Sequence, residues 1–304
     1  MRIALAGILL ATVVACAAGD PVPDKEFSGR QALDYVEMQL AFGPRIPGTE
    51  GHAAMALWLD SMARSRADTV VVQRWWHRTL RGDSIPQINI IARFNPGASA
   101  RVLYMAHWDT RPRTDAQPDT SKTVPGANDG ASGVAILLGV MDALQKKHPT
   151  VGVDLVFVDG EDYGYFRGGN EDVLIGSTYY SFNPVVPERP LFAVVWDMVG
   201  ARDQQFTPEN FSQIAAPEVV DIVWKTAERM GYGSTFVRGI GDGVTDDHTP
   251  LIARGFRAID VIGVPHSYPY WHTEHDTFDK ISEETLSIVG NVAVAVLRRA
   301  GASR

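Results

Sequence analysis

The feature that most restricts this fold is a series of short, strongly apolar runs separated by segments with helical periodicity. "VDLVFVDG" and "LFAVVWDMVG" are apolar almost throughout, and "RAIDVIGV" reads as a further strand. A strand that is apolar on both faces needs cover on both, which a parallel sheet between helical layers supplies. "TVVVQRWW", "INIIARF" and "RVLYMAHWD" read as strands earlier in the chain. Helices are expected at "RQALDYVEMQLAFG", which stops at Gly43, and at "TEGHAAMALWLDSMARSR", with Thr49 as N-cap. "GASGVAILLGVMDALQKK", "PEVVDIVWKTAERMG" and the closing "SEETLSIVGNVAVAVLRRAG" complete the helical set. In the last, Ser282 is the expected N-cap, and Glu283 and Glu284 put negative charge in the first turn, where the helix dipole favours it. The alternation predicts a three-layer α/β sandwich around a mostly parallel central sheet, with the early strands antiparallel at one edge.

The 304 residues, 45% hydrophobic, suffice for one large core, and residues 29–304 read as a single domain. A net charge of −8 argues against nucleic acid as a partner, because phosphate binding needs a basic face. The start reads differently. "MRIALAGILLATVVAC" has Arg2, then an apolar run from Ile3 to Val14, too short to span a bilayer, which takes about 20 apolar residues. Residues 1–15 fit a secretory signal, and "VVAC" resembles a bacterial lipobox whose Cys16 becomes the lipidated first residue. An ordinary signal followed by a chance cysteine is the alternative. Residues 16–28 read as a lipidated cysteine and tether, and the expected location is the periplasm or outer membrane of a bacterium. Any membrane contact is then through the lipid at Cys16. Because Cys16 is the only cysteine, the domain has no disulfide and no thiol nucleophile.

In an open α/β sheet, ligands bind beyond the carboxyl ends of the strands, and acidic and imidazole side chains collect at those ends. His107 and Asp109 close one strand and lie on the same side of it. Asp129 sits in the glycine-rich turn "PGANDGASG", Glu161 and Asp162 follow "VDLVFVDG", and Asp197 ends "LFAVVW". Asp246, Asp247 and His248 lie in "GVTDDHTP", and His272 in "YPYWHTEHDT". Each has an ordinary reading: Asp129 as a helix cap, Asp162 and Asp197 as turn formers, His275 as a solvated side chain. Those readings do not explain why every major strand ends this way. Carboxylates crowded in one cleft repel by about 4 kcal/mol per close pair at an effective dielectric near 20, and a divalent cation removes that cost. Oxygen and nitrogen donors without thiolate fit zinc with an open coordination position. Of two adjacent acids, one can neutralise the metal while the other moves protons. No G-x-S-x-G elbow and no His-Glu-x-x-His helix is present.

Taken in order, "FGPRIPGTEGH", "AHWDTRP", "GANDGASG", "VDGED", "DMVG", "DDHTPL" and "WHTEHDT" resemble the zinc aminopeptidase and glutaminyl cyclase family, over most of the chain. The resemblance implies the zinc exopeptidase fold, with Asp129, Asp162 and His272 as zinc ligands and Glu161 as general acid/base. "AHWDTRP" and "EDYG" are similar to bacterial members of the animal-type cyclase branch, in which aspartate replaces the second glutamate. That branch implies one zinc and conversion of N-terminal glutamine of peptides or proteins to pyroglutamate, with release of ammonia. Asp197 and Asp246 would then form an acidic network beside Glu161, and Trp271, Tyr268 and His107 would face the substrate. The alternative within the family is a two-zinc aminopeptidase, with His107 and Asp197 holding the second ion. "HDTFDKIS" resembles that branch as much as the other, and "YGYFRGGNEDVLIGS" lacks the tryptophan that cyclases place after the acidic pair. Tyr165 or Phe166 would take that place. A third reading is a peptide-binding lipoprotein without catalysis. The chain is expected to act as a monomer.

Overall fold

Residue parity along each strand decides which of two cores a side chain joins. The computed structural model describes residues 22–115, 121–165, 171–263 and 267–302. Its six strands are β1 (Thr69–Arg78), β2 (Ser84–Phe94), β3 (Arg101–His107), β4 (Gly152–Val158), β5 (Phe192–Asp197) and β6 (Ala258–Ile262). They form one sheet in the order β1-β2-β4-β3-β5-β6. β4, β3, β5 and β6 run parallel to one another, while β2 pairs antiparallel with β4 and β1 antiparallel with β2 at one edge. The mostly parallel sheet and its antiparallel edge follow the sequence expectation.

Val102, Tyr104 and Ala106 of β3 enter the larger core with Val153, Leu155 and Phe157 of β4. Leu103, Met105, Val156 and Val158 point the other way into the smaller one. The larger core is closed by α1 (Gly29–Leu40), α2 (Glu50–Arg64), α3 (Ala131–Lys146), α6 (Pro217–Arg229) and α8 (Glu283–Ala302). The smaller is covered by α4 (Ile175–Phe182) and α7 (His248–Ala253), with α5 (Asn210–Ala215) beside β6. This is the three-layer sandwich. Thr49 caps α2 by accepting from the His52 amide, and Ser282 accepts the Thr285 amide at the start of α8. On the thinner side, Asp154 lies between two arginines, with Arg93 Nε at 2.9 Å and Arg101 Nε at 2.8 Å, all three buried. A charge so placed needs its partners, because removing one side of a buried pair leaves the other uncompensated.

Residues 1–21, which carry the signal and Cys16, lie outside the described residues. Among the described residues no helix is long and apolar enough to cross a membrane. The tether reading is corrected at its end. Phe27 is buried in a groove between α3 and α8, where a Cβ on Gly139 or on Gly290 would come within 2.3 Å of its ring. Glu26 pairs with Arg298 at 2.7 Å and with Lys147 at 3.4 Å. An aromatic ring facing two glycines gains more from burial than an extended tether gains from solvation, so residues 26–28 belong to the domain. Phe27→Ala should therefore lower the unfolding free energy by about 3 to 5 kcal/mol in chemical denaturation; a residue of a free tether would change nothing.

Candidate metal centre

β3 lies between β4 and β5 in the sheet, so the chain leaves its carboxyl end at the point where the strand order reverses. His107 is the last residue of β3, and Asp197 is the last of the neighbouring β5. Glu161 and Asp162 follow β4, and His272 follows β6. Asp129 stands just before α3, but Gly130 is the N-cap and no side chain caps that helix. The capping reading of Asp129 is thus set aside. A Cβ at Gly130 would meet the His107 ring at 2.4 Å, so glycine is what lets the turn approach the strand end.

These residues assemble into two sets that share one carboxylate. Asp129, Asp162 and His272 present ligand atoms within 4.8 Å of one another, as do His107, Asp129 and Asp197, and all five residues are buried. His272 Nε2 lies 3.2 Å from Asp162 Oδ1 and 3.6 Å from Asp129 Oδ2. On the other side, His107 Nε2 lies 3.0 Å from Asp129 Oδ1 and 3.2 Å from Asp197 Oδ1. The donor set passes a direct test for a cation: Asp162 Oδ2 is buried without a hydrogen-bond partner, a costly state for a carboxylate oxygen in a dry site.

The ligands are themselves held. Asp115 Oδ2 lies 2.9 Å from His272 Nδ1, which leaves Nε2 turned toward the aspartates. Arg111 Nη1 donates to Asp162 Oδ1 at 2.7 Å, and its other donors reach Asp115 Oδ1 at 3.2 Å. Asp109 accepts the backbone amides of Glu161 at 3.0 Å and Asp162 at 3.2 Å, and lies 3.5 Å from His107 Nδ1. The paired His107 and Asp109 thus converge as the alternation implied, and the aspartate aims the acidic pair. Arg111 and Asp115 were missed by the reading of the sequence. The signal available was their spacing, four residues apart in "RPRTD", directly after the strand end.

Charge crowding governs the electrostatics. Burial pushes the Glu161 carboxyl well above its usual range; His107 opposes that shift, while Asp162, Asp246 and Asp247 reinforce it. Burial acts to raise Asp162 as well, but His272 and Arg111 hold it well below the carboxylate range. The two neighbours therefore differ as a proton carrier and a permanent anion should. Burial pulls the His272 pKa down, and Asp162, Asp115 and Asp129 outweigh it, leaving the value at about 9. Burial and then Asp197 push Asp246 up to about 6.

The remaining expected residues are placed as follows. Asp197 accepts from His107 and from the Met198 amide at 2.7 Å. Asp246 accepts the Asp247 amide, and its charge helps to raise the pKa of the buried Asp260 after burial itself. The hydrogen bonds of Asp197 and Asp246 thus run to different partners, and their link is through charge. Trp271 is 36% exposed and stacks on the His272 ring at 3.8 Å between centroids. Tyr268 is buried, with its hydroxyl donated to Asp276 at 2.7 Å, and it borders a cavity of about 480 Å³ whose lining includes none of the candidate ligands. Tyr165 is exposed, with the Arg111 guanidinium 5.1 Å from its ring centre. Phe166 lies outside the described residues, and His275 is exposed as expected.

Comparison with known proteins bears on this geometry. A family model described as peptidase family M28 matches residues 89–297. The crystal structure of Porphyromonas gingivalis glutaminyl cyclase is similar with a TM-score of 0.87 at 38% identity, covering 91% of this chain and 100% of that one. A Zn-dependent exopeptidase from Parabacteroides distasonis ATCC 8503 is similar with a TM-score of 0.86 at 36% identity, covering 91% of this chain and 99% of that one. Among characterised sequences, glutaminyl-peptide cyclotransferase of Bos taurus is 25% identical over 285 residues, 82% of this chain and 76% of the relative.

Asp162→Asn and His272→Ala should each abolish tight zinc binding in chelator competition. Asp115→Asn should weaken it about 10- to 100-fold, the usual effect of losing the partner that orients a ligating histidine. Wild-type affinity in the Asp115 variant would deny that residue an orienting role.

Proposed function

The chain belongs to peptidase family M28, and on that premise we propose that it is a glutaminyl-peptide cyclotransferase with one catalytic zinc. Its substrates are peptides or proteins that begin with glutamine, and its products are the pyroglutamyl peptide and ammonia. The reading is carried by the likeness to the Porphyromonas gingivalis glutaminyl cyclase across nearly the whole chain, in a cleft where Glu161 directly precedes the anionic Asp162. Zinc held by Asp129, Asp162 and His272 would polarise the γ-carboxamide carbonyl of the substrate glutamine.

The chain's own groups supply the rest. Glu161 as carboxylate accepts a proton from the substrate α-amine as its nitrogen bonds to the γ-carbonyl carbon. The same carboxyl then returns that proton to the amide nitrogen as the carbon–nitrogen bond breaks, and ammonia leaves. No proton is gained or lost overall, so a single raised-pKa acid suffices. Burial first, and then the charges of Asp162, Asp246 and Asp247, hold the Glu161 pKa up and make its carboxylate a stronger base toward the substrate amine. Trp271, stacked on His272, gives the substrate a flat apolar wall beside the metal ligand.

A two-zinc aminopeptidase is the second reading, favoured by one observation: the complete set His107, Asp129 and Asp197. The signal at the start of the sequence supports an exported lipoprotein anchored at Cys16, and the proposal takes the enzyme to act as a monomer. A Gln-initiated peptide incubated with the zinc-loaded protein should lose the mass of ammonia. Hydrolysis of aminoacyl anilides with two tightly held zincs per chain would favour the peptidase instead. Glu161→Gln should keep its zinc and lose turnover about 100- to 10,000-fold, the range for removing a general acid/base; wild-type turnover would refute its role as proton carrier.

A further inference from the structure

Asp129 is the carboxylate on which both ligand sets depend, yet it stands on a stretch without regular secondary structure. Residues 126–129 are buried, so their backbone donors and acceptors need partners inside the protein. Those partners are charged, and they come from two remote segments. Arg45, in the link between α1 and α2, is 0% exposed. Its Nη1 donates to the Pro125 carbonyl at 2.5 Å, its Nη2 to the Gly126 carbonyl at 2.8 Å, and its Nε to the Trp108 carbonyl at 3.4 Å. From the other side, Asp276, also 0% exposed, accepts the amides of Asn128 at 2.9 Å and Asp129 at 3.1 Å. The Asp276 carbonyl accepts the Ala127 amide at 3.2 Å.

We propose that Arg45 and Asp276 form an ionic clamp on residues 125–129 that positions Asp129 for the metal. The guanidinium takes the loop's carbonyls and the carboxylate takes its amides, so the loop is gripped by opposite charges at its two ends. Asp276 lies four residues after His272, on the segment that carries that ligand. Its two bonds to the Asp129 turn therefore tie the spacing of the His272 and Asp129 ligand atoms. Arg45 ties the same turn to the end of β3, through the Trp108 carbonyl and through its own carbonyl, which accepts the Thr110 amide at 3.3 Å. Tyr268 completes the arrangement by donating to Asp276 Oδ1 at 2.7 Å, which fixes that carboxylate's rotamer. Lysine cannot replace Arg45, because one ammonium lacks the rigid fork that meets two successive carbonyls. Asparagine at 276 keeps one acceptor oxygen and sets its NH2 against the other of the two backbone amides. Both residues are positioning residues, and the inference rests on the metal reading of the cleft, whichever reaction follows.

The test compares Arg45→Lys, Arg45→Gln and Asp276→Asn with wild type for zinc affinity by chelator competition, and for the cobalt absorption spectrum of the cobalt-loaded protein. Thermal midpoints in EDTA are recorded alongside. Phe27→Ala serves as a control that lowers stability from the opposite side of the helical layer. Each clamp variant should weaken zinc by about 10- to 100-fold and alter the cobalt bands, whereas Phe27→Ala should leave both at wild-type values. Combining Arg45→Lys with Asp276→Asn should cost less than the product of the single losses, because both act on one loop. Zinc affinity within twofold of wild type in Arg45→Lys and Asp276→Asn, or a loss matched by Phe27→Ala, would overturn the clamp. Failure of the wild-type protein to bind zinc would overturn the metal centre itself.

Discussion

Negative charge held away from water is the constraint on which this structure depends. Asp109, Asp129, Asp162, Asp197, Asp246, Asp247 and Glu161 are all buried at the same end of the sheet. At an effective dielectric near 20, two such charges 4 Å apart repel by about 4 kcal/mol. The chain's cations are disposed to meet that repulsion. Arg111 sits on Asp162, Arg45 beneath the Asp129 turn, and His107 and His272 between pairs of aspartates. Among the oxygens left without a hydrogen-bond partner, with those of Asp246 and Asp247, is Asp162 Oδ2, on the residue that the family resemblance names as a zinc ligand.

The sheet makes this concentration of charge possible. Four parallel strands deliver their carboxyl ends to one edge, and the reversal of strand order at β3 opens the gap into which those ends project. The helical layers do the opposite work. α3 leaves the Asp129 turn and runs away from the site, and at its far end Glu26 and Phe27 are locked between it and α8. Rigidity is thus built from the distant core inward, and the residues that meet the metal inherit it through short turns. A ligand shell on turns needs more support than one on regular elements, and here that support comes from buried charged side chains bonded to backbone atoms.

How much of this the sequence discloses depends on the range over which each cause acts. Strands and long helices are legible because their patterns are local: "VDLVFVDG" is covered on both faces, and Thr49 and Ser282 cap the helices that follow them. The short helices α4, α5 and α7 went unread, because six to eight residues span too few turns to show periodicity. The candidate ligands stand out because carboxylates and imidazoles are unusual at the ends of buried strands. Their supports do not. Asp115 meets His272 across 157 residues, Asp276 meets Asp129 across 147, and Arg45 meets Gly126 across 81. Two of those three contacts end on backbone atoms, which leave no trace in the identity of the partner. Phe27 was hidden for a related reason, since the glycines that make room for it are in other helices.

The sharing of Asp129 between two sets bears on how many ions the cleft needs. In the set with Asp162 and His272, Asp115 stands behind the ring at Nδ1, while His272 Nε2 and Arg111 Nη1 both meet Asp162 Oδ1. In the other set, the inner atom of His107 is already engaged, with Nε2 at hydrogen-bonding distance from Asp129 Oδ1 and Asp197 Oδ1 together. Asp109 behind the ring strengthens the arrangement by favouring the charged imidazole. Each set thus has an imidazole whose Nε2 faces two aspartates and whose Nδ1 faces a third, Asp109 behind His107 and Asp115 behind His272. Because Asp129 serves both sets, a change there touches both, whereas Asp162→Asn touches the first alone and Asp197→Asn the second, so metal content in those variants separates one ion from two.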